Sequence, residues 1–111
     1  MEYIENLIEE KSKLISYAEV LKSEGNLSEA KLLYKKAGGI EFEISSIYNE
    51  KKSEKVKIHL ISAISCALEA ENYKDMSHWI EIFENLDDID KDEVDIIDKI
   101  KIMAETKIKY K

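Results

Sequence analysis

Apolar residues recur along this chain at steps of three and four, the period of a single helix face. Over about residues 2–23, Ile4, Leu7, Ile8, Leu14, Ile15, Ala18 and Leu21 make one stripe, and Lys11 is its one interruption. Glu2, Glu5, Glu9 and Glu10 crowd the first turns, where the helix dipole favours negative charge. Gly25 can take the left-handed conformation that ends a helix, and Asn26 or Ser28 can cap the next. The second helix is predicted over about 27–51, with Ala30, Leu33, Tyr34, Ala37, Ile40, Ile44, Ile47 and Tyr48 on one face. Gly38-Gly39 lies inside it, and two glycines cost about 2 kcal/mol relative to alanine in a helix. The pair can therefore split the segment. Yet Leu33, Ala37, Ile40, Ile44 and Ile47 keep step across it, which favours one long helix, kinked or straight. The glycines would then admit another backbone closely.

The polar stretch 51–55 separates this helix from a third, about 54–71, which Ser53 can cap. Val56, Ile58, Leu60, Ile61, Ala63, Ile64, Cys66, Ala67 and Leu68 make it apolar over more than half its circumference. It should be the most buried helix, touched from two sides. Asn72 is a turn and cap candidate. The fourth helix, about 73–86, sets Tyr73, Met76, Trp79, Ile80, Phe83 and Leu86 at helical spacing. Asp90 with Glu93 fits a capping box for the fifth, about 91–107, whose apolar positions are Val94, Ile97, Ile100, Met103 and Ala104. The expectation is one all-α domain over residues 1–111, with about five antiparallel helices in a compact bundle or short solenoid.

Composition agrees. Apolar residues are 44% and charged residues 37%, with three glycines and no proline. That suits a charge-rich helical protein of one core and lacks the turn punctuation of sandwiches and barrels. The net charge of -7 repels phosphate, and all 17 basic residues are lysine, so nucleic acid is not an expected partner. The single cysteine, Cys66, lies among apolar residues and reads as a small buried hydrophobe. No apolar run reaches the roughly 18 residues of a membrane span. The start of the chain is acidic where a signal peptide would be basic. These features predict a cytoplasmic protein with no membrane insertion.

The residues from Leu14 to Ala37 carry more specific information. Leu14, Tyr17, Ala18 and Leu21, then Gly25-Asn26, then Ala30, Tyr34 and Ala37 resemble a tetratricopeptide repeat, a helical hairpin with small residues at its crossing. Ala30 and Ala37 would let the helices approach, and Tyr34 would fill the wedge between them. A weaker copy begins 46 residues later, with Leu60, Ala63, Ala67 and Leu68, then Glu71-Asn72-Tyr73, then Met76, Ile80 and Phe83. Glu71 replaces the turn glycine, Met76 the packing alanine, and the interval exceeds the 34 residues of that family. The same stretch followed by a long helix is similar to microtubule-interacting-and-transport domains and to the hairpins of soluble NSF attachment proteins. All three resemblances imply binding of proteins through grooves between helices. In some tetratricopeptide repeats, lysine and asparagine on first helices clamp a peptide carboxylate. The matching positions here are Ile15, Glu19 and Lys22 with Ile61, Ser65 and Leu68, which do not make that clamp.

Catalytic chemistry is hard to find. Asp88-x-Asp90-x-Asp92 begins like an EF-hand loop, but Glu93 and Lys99 stand where the turn glycine and bidentate glutamate belong. His59 and His78 have no ligand spacing to each other or to Cys66. Small ribonuclease-type HEPN domains, alike in size, need an arginine that this chain lacks. No enzyme activity, cofactor or metal is expected. Charge is more informative. From Glu81 to Asp98 nine acids face one lysine, and from Lys99 onward five lysines face one glutamate. That asymmetry can steer a basic partner to the fourth helix and the turn after it, or pair subunits head to tail. The partner-binding candidates are therefore Trp79, Glu81, Glu84, Asp87 and Asp88. The expected function is a noncatalytic protein-interaction adaptor that takes a helix or peptide in an inter-helix groove. A self-associating subunit, paired through its last helix, is the alternative, and a small enzyme or nucleic-acid-acting protein ranks last.

Overall fold

Three of the four turns end on the same hydrogen-bond pattern, which fixes how the chain reverses. In the computed structural model, which describes residues 2–110, five helices follow one another: α1 (Glu2–Ser23), α2 (Leu27–Glu50), α3 (Val56–Glu69), α4 (Tyr73–Glu84) and α5 (Lys91–Lys109). After α1, Gly25 stands at φ +82°. Its N–H donates to the Lys22 carbonyl at 3.1 Å, and the Asn26 N–H donates to Leu21 at 2.8 Å. After α3, Glu71 takes φ 56°, and Glu71 and Asn72 donate in the same way to Leu68 and Ala67. Lys52 repeats this after α2. Each is a Schellman stop, in which a left-handed residue closes the helix end. Asn26 and Asn72 then open α2 and α4 with almost the same backbone, φ -86° and ψ 70° against φ -90° and ψ 71°. The two hairpins thus share a turn although one uses glycine and the other glutamate. A side chain in this conformation costs about 1–2 kcal/mol, and Glu71 holds it while pairing with Lys31 of α2 at 2.6 Å.

The caps differ in detail from the sequence reading. Asn72 accepts from the Asp75 N–H at 3.5 Å, whereas Asn26 occupies the cap position without a side-chain bond. Asp90 and Glu93 form the complete capping box, both bonds 2.9 Å. Ser53 bonds to the N–H of Lys55, closing the turn that leads into α3, so that helix starts at Val56. The fourth helix stops at Glu84, and Leu86 and Ile89 fold back against the core.

α1 packs on α2, α2 on α3 and α3 on α4, and α5 closes over α3 and α4. The core has two parts. Ala18, Leu21, Ala30, Tyr34 and Ala37 seal the α1–α2 hairpin against Cys66 of α3. Leu60, Ala63, Ile64, Ala67 and Leu68 of α3 meet Met76, Trp79, Ile80 and Phe83 of α4 and Ile97, Ile100 and Ala104 of α5. α3 is therefore touched on three sides. Val94 and Met103, expected inside, are exposed, because α5 has neighbours along one side only.

Gly38-Gly39 does not break α2, which is continuous. The two glycines have different roles. A Cβ on Gly38 would lie 3.2 Å from Cys66 Cβ and 3.5 Å from the Ala63 carbonyl oxygen, so α3 runs against α2 at that point. A Cβ on Gly39 would meet nothing within 4 Å. Gly39→Ala should therefore stabilise the protein by about 0.5–1 kcal/mol. Gly38→Val should destabilise it by about 1–3 kcal/mol through overpacking. Thermal melts of the two variants should shift in opposite directions, and a shared direction would mean that α3 does not approach α2 here.

Candidate interaction groove

α1 and α3 do not pack tightly on each other; a groove of about 730 Å³ runs between them. Its walls are Ile15, Glu19 and Lys22 of α1 and Ile61, Ser62, Ser65 and Glu69 of α3, with Tyr34 of α2 and Cys66 also lining it. These positions follow from helix period. Residues 15, 19 and 22 share one edge of α1, and 61, 65 and 69 one edge of α3. Five of the six inner positions that the tetratricopeptide resemblance picks out line this one groove. The sixth, Leu68, is buried in the core instead.

Lys22 and Glu69 stand in the last turns of α1 and α3 and join across the groove at 2.8 Å. The hydrogen bond that Lys22 donates to Glu69 raises the Lys22 pKa. Tyr34 is raised chiefly by burial, then by the charge of Glu69. Burial, reinforced by the negative charge of Glu41, pushes the Cys66 thiol up to about 12. At neutral pH the thiol is protonated and is not a nucleophile. The groove thus offers apolar contact, hydroxyls and one ion pair.

Sequence reasoning missed the main polar feature of the interior. Glu41 is 0% exposed at the centre of α2. His59 Nδ1 lies 2.9 Å from its Oε1, and Lys11 Nζ lies 3.3 Å from its Oε2. With Glu41 ionised, His59 Nδ1 must carry the proton, because a carboxylate only accepts. The His59 ring stacks on Tyr48, centroids 5.4 Å apart. Three helices are tied at one buried carboxylate. The signal was present: Lys11 broke the stripe of α1, and Glu41 falls in the buried phase of Tyr34, Ala37 and Ile44.

The sequence candidates separate. Trp79, an interface candidate whose helical spacing also fits the core, is 6% exposed and stacks on Phe42 of α2, ring centroids 5.0 Å apart and planes 12° from parallel. It fills the core where α4 meets α2. Glu81 and Glu84 are exposed beside α5, and Glu84 pairs with Lys101 at 2.7 Å. Asp87 and Asp88 line a second hollow between α3, the turn before α5 and the start of α5. That hollow shares Ile61 and Ser62 of α3 with the first groove. Asp90 is engaged in its helix cap, and among the described residues no three His, Cys, Asp or Glu converge as metal ligands. Nor is any described helix long and apolar enough to cross a membrane. Comparison with protein-family models, curated proteins and solved structures finds no match to the chain.

Proposed function

We propose that this protein is a noncatalytic, cytoplasmic adaptor that holds a helix or an extended peptide of a partner protein in the groove between α1 and α3. The observation that carries the reading is the groove itself. A hollow between two helices, with Ile15 and Ile61 on facing walls and the Lys22–Glu69 pair at one end, is suited to receiving a helix or peptide. The shared turn geometry of the two hairpins supports a tetratricopeptide-like origin for it, with α1 and α3 as the paired first helices. Partner capture from the native cell tests the reading. Wild type should retain a protein that Ser65→Arg, which fills the groove from a half-buried position, releases. Both should melt at the same temperature. Retention of the same proteins by both would overturn it.

A further inference from the structure

The second hollow has a volume of about 1100 Å³ and carries five carboxylates against two lysines. One of those lysines, Lys57, is already tied to Glu93 at 3.2 Å and to the Asp88 carbonyl. The floor is apolar and open, with Ile58 65% and Ile96 42% exposed. A surface of this kind pairs an excess of negative charge with exposed apolar area. The chain itself contains a matching element. The last turns of α5 carry Lys107 and Lys109, and beside them Ile108 is 56% and Tyr110 78% exposed. Among the described residues, Glu105 is the one acid in that half of the helix.

We infer that the C-terminal end of α5 of one copy seats in this acidic hollow of the next, joining copies head to tail. A copy cannot satisfy itself with this helix. The hollow takes in Glu93 and Ile96 near the start of α5, and Lys107 lies 11 residues beyond Ile96, about 16 Å further along a straight helix. The contact is heterologous, because the hollow and the inserted end are different surfaces. Association therefore continues past a pair unless the rotation closes a ring. Tyr110 and Ile108 supply the apolar contact, and Lys107 and Lys109 face Glu54, Asp87 and Asp88. The inference goes beyond the adaptor reading and does not need the α1–α3 groove.

Light scattering on the full chain across a concentration series tests it. In about 0.1 M salt the average mass should climb past twice the 12.9 kDa of one chain. It should return to one chain in about 1 M salt, where the Debye length shrinks from about 10 Å to about 3 Å. The double variant Lys107→Glu/Lys109→Glu and the separate variant Asp87→Lys/Glu54→Lys should each stay monomeric, with helical circular dichroism unchanged. Mixing the two should restore the larger species, since each then offers the other a complementary end. Ser65→Arg should leave association intact, which separates this result from failure of the groove. A wild type that stays monomeric at every concentration would overturn the inference. So would association that survives either charge reversal.

Discussion

Replacing Trp79 with alanine is expected to destabilise the fold by about 3–5 kcal/mol. The indole is buried between α2 and α4, and its loss removes the stack on Phe42 together with the contact beside Gly38. α2 cannot move in to fill the space, since Gly38 already sits against α3. The cavity would stay open, and cavities that cannot collapse cost most. Domains of this size have total stabilities of about 5–15 kcal/mol, so the variant should be at or near the edge of folding. Trp79→Phe keeps a ring over Phe42 and should cost less than half as much. Urea melts followed by circular dichroism measure both, the fluorescence of the sole tryptophan being lost in the variants. A change below about 1 kcal/mol for Trp79→Ala would put the ring at the surface, as an interface anchor.

The second large effect is expected at Lys11. Lys11→Met keeps most of the side-chain volume but takes away the cation facing Glu41 Oε2. That oxygen has no hydrogen-bond partner, so the buried carboxylate would depend on His59 alone. Breaking a buried pair costs about 3–5 kcal/mol. The lower end applies, because the Lys11 side chain is 18% exposed and water can approach from its side. The discriminating measurement is the double variant Lys11→Met/Glu41→Leu. With both charges gone, only the His59 imidazole N–H is left without its partner, and part of the lost stability should return. If the double variant is as unstable as the single, the cost lies in packing and not in an uncompensated charge.

These two sites show what could be read from the sequence. Helix positions were legible, since they depend on local period, on Asp90 with Glu93 and on Gly25. The continuity of α2 through Gly38-Gly39 was legible for the same reason: the apolar phase did not reset. The side on which a residue meets its neighbours was harder. Trp79 lies on the same face of α4 as Met76 and Phe83, and only the crossing of α4 over α2 decides that Phe42 covers it. Ile40 suggests the buried phase by its side chain, whereas Ile40 is half-buried and Glu41 beside it fully so. A carboxylate in the interior makes sense only beside its partners, which come from α1 and α3, 30 and 18 residues away. The groove is of the same nature. Its α1 and α3 positions were named through the family resemblance, but the space between them arises from helix angles that a linear pattern does not contain.

The place of α3 in both halves of the core has a consequence for how the molecule comes apart. Cys66 faces the α1–α2 hairpin, while Ala63, Ile64 and Ala67 face α4 and α5. Neither half can open without exposing apolar surface on the helix that the other half needs. Strings of hairpins with separate cores lose their units one by one; here the shared helix couples them. Amide hydrogens of α3 should exchange with solvent only through complete unfolding, those at the outer ends of α1 and α5 long before, and the loss of structure should be a single cooperative event.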